Sequence, residues 1–217
     1  MADRTRQVER VAATREALLS AAERLFAESG VYAVANRQIS EAAGQGNNAA
    51  VNYHFGTKAD LVRAIVHSHA ERIEGIRARM LADIGDSVAL RDWVACAVRP
   101  TTEHLEALGN PSWYARFIAQ VTADPALYAI TAEEVSAVAP STRAVQEGLI
   151  RCLPDLPAEV YAERAAMTRH LITQMSVDRE RALVDNASTP RATWREAATG
   201  LIDAIVALWE APFTPEP

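Results

Sequence analysis

Apolar side chains recur along this chain at steps of three and four, the period of an α-helix. Leu18, Ala21, Ala22, Leu25 and Phe26 form one stripe and predict a helix over residues 14–29, stopped by Gly30. Ile39, Ala42 and Ala43 then share a face of a short helix that Asn36 is placed to cap with its side-chain oxygen. Gly44 follows the last apolar pair, where a left-handed residue ends a helix at least cost. A second short helix, residues 47–55, would bury Val51 and Phe55 beside the small Ala50. Thr57 and Asp60 stand three apart before Leu61 and Val62, the spacing of a capping box. They open a long helix to about residue 84, with Val62, Ile65, Val66, His69, Ile73, Ile76 and Met80 in its stripe. Two short helices joined by a glycine turn make a helix-turn-helix, whose second helix enters the DNA major groove.

The same period continues to the end. Ser87 caps a predicted helix over residues 88–108, in which Pro100 is expected to make a kink. Helical segments follow at 113–123, 125–130, 131–138 and 141–152, separated by Asp124, Pro125 and Pro140. Residues 153–157 form a linker, residues 158–180 a helix, residues 185–190 a polar loop, and residues 191–210 a last helix. The expectation is an all-α protein. Residues 1–56 would form an N-terminal arm and a helix-turn-helix head, a DNA-binding domain of three helices. Residues 57–217 would form a C-terminal helical domain for ligand binding and dimerisation. The arm, residues 1–13, carries Arg4, Arg6 and Arg10; it reads as a solvated disordered tail, the other reading being a phosphate or minor-groove contact.

Composition narrows the function. With 217 residues and 49% hydrophobic content the chain can bury a substantial core. Its net charge is −6, which a DNA binder must answer. Residues 1–70 hold eight basic and seven acidic side chains, so they carry +1 and the remainder −7. The acidity is therefore kept away from the proposed head, and the local field is what phosphates meet. Two isolated cysteines, Cys96 and Cys152, suggest no disulfide framework. The charged N-terminus lacks a signal-peptide core, and no apolar run reaches membrane-spanning length, so a cytoplasmic protein without a membrane partner is expected. No nucleophile elbow, phosphate loop, dinucleotide fingerprint or zinc spacing occurs, so neither enzyme activity nor a cofactor or metal is expected. Cys96, Glu103 and His104 lie on one helix without triad geometry, and His67 and His69 do not share a face.

The second short helix carries the chemistry. Asparagine bonds adenine through two contacts in the major groove, and alanine touches a thymine methyl, so Asn47, Asn48, Ala49 and Asn52 suit base edges. Gln45 in the turn joins them, and Arg37 and Lys58 lie where phosphates would pass. The competing reading makes the asparagines turn formers. The segments TREALLSAAERLFAESG, ISEAAG and VNYHFGTKADL closely resemble the N-terminal signature of the TetR family of bacterial regulators, over residues 14–65. The resemblance implies that Tyr53 and His54 contact phosphate; otherwise they simply pack.

It also implies a C-terminal pocket for a small hydrophobic effector and a homodimer on a double-stranded DNA operator. Trp93, Trp113, Phe117 and Gln120, with Met167, His170 and Gln174, would line the pocket, unless they are ordinary core and loop residues. Dimerisation would use Leu171 and Met175 on one helix and Trp194, Leu201, Ile202, Ile205 and Leu208 on the last, paired as a four-helix bundle. The function expected is a ligand-responsive repressor on a palindromic operator. The alternatives are an activator, or a helical ligand-binding protein that does not read DNA.

Overall fold

The computed structural model describes residues 2–47, 49–153 and 155–214, and among these the chain forms ten α-helices and no strand. They are α1 (Ala2–Ser29), α2 (Asn36–Ala42), α3 (Ala50–Phe55), α4 (Lys58–Ile84) and α5 (Leu90–Leu108). Then come α6 (Tyr114–Ala123), α7 (Pro125–Val138), α8 (Ser141–Cys152), α9 (Ala158–Val184) and α10 (Trp194–Glu210). Contacts divide them into two compact units, Met1–His69 with Trp113–Val135, and Ala70–Ser112 with Ser136–Pro217.

The first unit is held by the stripe foreseen on α1. Leu18, Ala22 and Phe26 are buried with Ile39 of α2, Val51 of α3, and Leu61, Val62, Ile65 and Val66 of α4. Phe117 of α6 stacks on Phe26, ring centroids 6.3 Å apart. His69 is a core histidine, its ring stacked on Tyr114 at 3.9 Å and its Nε2 2.9 Å from Glu23. Thr57 and Asp60 form the expected capping box: Asp60 accepts from the Thr57 N–H at 3.2 Å, and Thr57 Oγ1 accepts from the Asp60 N–H at 3.1 Å.

In the second unit α10 lies along α5, which also packs on α8. Trp93, Val94, Val98, Val145, Leu149, Ala198, Ile202, Ile205 and Trp209 form its core. Arg164, buried on α9, donates to the Trp209 and Ala211 carbonyls and so closes the open end of α10.

Several boundaries differ from those the periodicity predicts. The arm is helical, because α1 begins at Ala2. Residues 2–13 contain neither Gly nor Pro and extend a helix already nucleated, which costs less than starting one. Residues 125–138 are one helix, not two. Asp124 caps it by accepting from the Ala126 and Leu127 N–H groups, both at 3.0 Å, and nothing within it breaks the backbone. The helix α5 runs on through a buried Pro100. The last helix starts at Trp194. Arg179 takes the carbonyls of Arg191 and Ala192 at 2.8 and 2.9 Å, and Thr193 with Glu196 makes a capping box. That Thr-x-x-Glu pattern is visible in the sequence and marks the true start.

Candidate nucleic-acid interface

Glycine chemistry sets the turn between α2 and α3. Gly44 has φ +67°, the left-handed region. The Gln45 N–H reaches the Ser40 carbonyl at 2.9 Å and the Gly44 N–H reaches Glu41 at 3.0 Å, the two bonds of a Schellman motif. The chain then enters α3 later than the apolar spacing suggests. Asn47 stays outside the helix as a turn residue, its Oδ1 accepting the Ala49 N–H at 2.9 Å, while its carbonyl takes the Ala50 N–H at 3.0 Å. The helix α3 therefore begins at Ala50, capped by Ala49, and is shorter than the predicted 47–55.

Its two faces are chemically opposite. Ala50 and Val51 are buried in the first unit, and Phe55 is half-buried under the Arg15 guanidinium, 5.0 Å from its ring. Ala49, Asn52 and Tyr53 face solvent, Tyr53 at 80% exposure. A tyrosine that exposed contributes nothing to its own core. His54 stands edge-on to Tyr53 at 5.0 Å and is half-buried. The protruding surface is narrow, small and polar, with one aromatic phenol beside it.

The other predicted contacts fall as follows. Arg37 is exposed on the first turn of α2 and pairs with Glu41 at 3.3 Å. Gln45 is half-buried and donates to the Ala43 carbonyl at 3.2 Å. Asn48 lies outside the described residues. Lys58 is turned inward: its ammonium donates to the Val34 and Val31 carbonyls at 2.6 and 3.1 Å. Two of its three donors thus tie α4 to the loop after α1. Asn36 does not cap α2. The cap position is Ala35, whose N–H is taken by Gln38 Oε1 at 2.8 Å, and Asn36 instead donates Nδ2–H to Asn52 Oδ1 at 2.7 Å. The two asparagines are sixteen residues apart, so no local pattern announces the bond. Beside this face, hydrogen bonds from Thr57 hold the Asp60 carboxyl below its ordinary 3.8, with Arg63 adding to the effect.

The residues expected to line an effector pocket are divided between the units. In the first, Trp113 is half-buried against Arg116, Phe117 is core, and Gln120 is exposed. In the second, Trp93 is core over Gly148, while Met167, His170 and Gln174 are exposed on α9. None of the seven lines the apolar cleft of about 480 Å³ that lies along α9 and α10. Leu171, Met175, Trp194 and Leu201, all expected at a subunit contact, do line it. Met167, Leu171 and Met175 are 47%, 36% and 51% exposed at four-residue steps on α9. Ile202 and Ile205 point the other way, into the core, and Leu208 is half-buried.

Burial pushes the Cys96 thiol up to about 11, so it is protonated at neutral pH. Among the described residues, no three His, Cys, Asp or Glu side chains gather as a metal site. No described helix is long and apolar enough to cross a membrane.

Two family models match the chain. Residues 18–65 match the bacterial regulatory proteins of the tetR family, and residues 95–207 match the tetracyclin repressor-like C-terminal domain. No curated protein matches. Among solved structures, the chain is similar to one described as a TetR-family transcriptional regulator from Mesorhizobium loti MAFF303099. The TM-score is 0.51 at 14% identity, with 93% of this chain and 97% of that one covered, a likeness of fold.

Proposed function

Because the chain belongs to the TetR family, and so is a DNA-binding transcriptional regulator, we propose that it is a homodimeric, ligand-responsive repressor reading a palindromic operator. The observation that carries the reading is the outer face of α3, where Asn52 and Tyr53 stand in solvent while Ala50 and Val51 anchor the helix from behind. A helix held this way can enter a major groove without unpacking. Asn52 and Ala49 would meet base edges; Tyr53, His54 and Arg37 would meet phosphates and fix the register. Asn47 would support the turn as well as edge the groove. Lys58 would act by holding the helices of the head together.

Residues 1–70, which hold the helix-turn-helix, carry a net charge of only +1 and bind phosphate weakly alone, which favours two heads acting on one site. Two-fold pairing through α9 and α10 would cover the Met167, Leu171 and Met175 stripe and the cleft beside it. Each head would then read a half-site, the two about 34–36 Å apart or a multiple of that. The effector reading rests on the family likeness of residues 95–207. An effector that weakens DNA binding must itself be weakened by DNA to the same factor, and a small hydrophobic molecule is the class proposed.

Selection from randomised duplexes tests this. The expected product is an inverted repeat. Tyr53→Ala should lower affinity about tenfold for all sequences alike, and Asn52→Ala should alter preference at one position per half-site. A pool with no enriched sequence, or an unchanged profile for Asn52→Ala, would refute the base-reading role of α3.

A further inference from the structure

Residues 14–65 hold five basic side chains, and four of them are engaged within the protein. Arg24 pairs with Glu28 at 3.6 Å, Arg37 with Glu41 at 3.3 Å and Arg63 with Asp60 at 2.8 Å. The Lys58 ammonium is bound to the Val31 and Val34 carbonyls. The fifth, Arg15, has no acceptor for its N–H groups and no carboxylate within ion-pair distance among the described residues. It is exposed on α1, and its guanidinium lies over the Phe55 ring of α3, 5.0 Å from the centroid. That contact consumes no hydrogen bond, so the donors of the guanidinium stay available. A cation without a partner is thus held against the helix whose outer face is built to meet DNA.

Its place on α3 follows from helix geometry. Successive residues turn by about 100°, so Phe55 and Tyr53 stand about 160° apart around α3, with Asn52 in the arc between them. Tyr53 therefore borders the outer face on one side, and Phe55 with Arg15 borders it on the other. A helix in the major groove, about 12 Å wide, has one phosphate backbone along each flank. We infer that Arg15 is a further DNA contact, donating to a phosphate of the strand across the groove from the one that Tyr53 meets. This rests on the reading of α3 as the base-reading helix, and it adds a contact supplied by a different helix. A guanidinium suits the task because its fork of N–H groups can bond two phosphate oxygens at once. The same geometry excludes Arg6 and Arg10, which are exposed but lie about 180° and 140° around α1 from Arg15.

The experiment measures affinity against salt for the full-length protein on the inverted-repeat duplex that selection recovers. In Arg15→Gln the slope of log affinity against log salt should shrink by about 0.9 for each head, one phosphate contact. The loss should be alike for all sequences, and the selected site should stay the same. Arg15→Lys keeps the charge and should restore most of the slope. Arg6→Gln with Arg10→Gln should leave the slope close to that of the wild type. Arg15 is exposed, so these variants should fold, and circular dichroism checks that they do. An Arg15 that only braced α3 through Phe55 would weaken binding equally at every salt concentration, and that result would overturn the contact. So would an equal loss of slope in the Arg6 and Arg10 double variant, which would assign the effect to diffuse charge. In both cases the reading of α3 stands. If the wild type selects no duplex at all, the reading of α3 falls and the Arg15 contact falls with it.

Discussion

Gly148 lies against the Trp93 ring so closely that a Cβ there would sit 2.1 Å from a ring carbon. The absence of a side chain is what lets α8 approach α5 at this point. The ring cannot retreat freely, since its Nε1 donates to the Ser87 carbonyl at 2.9 Å and the Arg151 guanidinium lies over the ring at 4.9 Å. Gly148→Ala should therefore cost about 1–3 kcal/mol, the usual range for overpacking a well-filled core. Urea unfolding followed by circular dichroism measures it; a neutral outcome would mean that α8 shifts without strain. The asparagine pair obeys a similar logic. Asn36 and Asn52 have ordinary chemistry singly, and only packing brings Asn36 Nδ2 within 2.7 Å of Asn52 Oδ1.

At the scale of the element, the start of α4 is tied locally. Thr57 and Asp60 satisfy each other's backbone donors, and the Asp60 carboxyl is held below 3.8, first by the Thr57 bonds and then by Arg63. A carboxyl whose folded pKa is lowered stabilises the fold above its unfolded pKa and ceases to do so as pH falls through the lower folded value. The α4 cap should thus weaken only in acid below 3.8 and be fully formed at neutral pH. In Thr57→Val the hydroxyl is gone, and the Asp60 titration should move up toward 3.8, followed by NMR of its carboxyl carbon. A titration that stays put would assign the effect to Arg63. The helix α3 shows the complementary case. It is too short to be stable alone, so its position depends on Ala50 and Val51 entering the core behind it.

At the scale of the whole molecule, the apolar stripe of α9 is a surface that the chain's own core does not cover. Met167, Leu171 and Met175 are exposed in steps of four beside the cleft along α10. A second copy would bury them. The double variant Leu171→Glu with Met175→Glu should therefore sediment at the chain's 23.6 kDa, and the wild type at twice that. Both residues face solvent, so the variant should keep the melting temperature of an isolated chain. A dimer of unchanged mass would place the contact elsewhere. Ile202 and Ile205 are poor probes of assembly because acidic substitutions there would break the core that they already fill.

What the sequence by itself determined is local. The three-and-four spacing placed the helices, Gly44 marked the turn, Thr57 and Asp60 announced the start of α4, and the segments around VNYHFGTKADL pointed to the TetR family. These signals act over a few residues, within reach of one helical turn, so they can be read without a fold. Tertiary structure alone decided the rest. It placed α6 and most of α7 in the compact unit of the head, turned the Lys58 ammonium onto Val31 and Val34, joined Asn36 to Asn52, and sent Ile202 inward while leaving Met175 outside. Periodicity says which residues share a face, but not which neighbour covers it. A hydrogen bond between residues sixteen or more positions apart exists only once packing has brought them within reach.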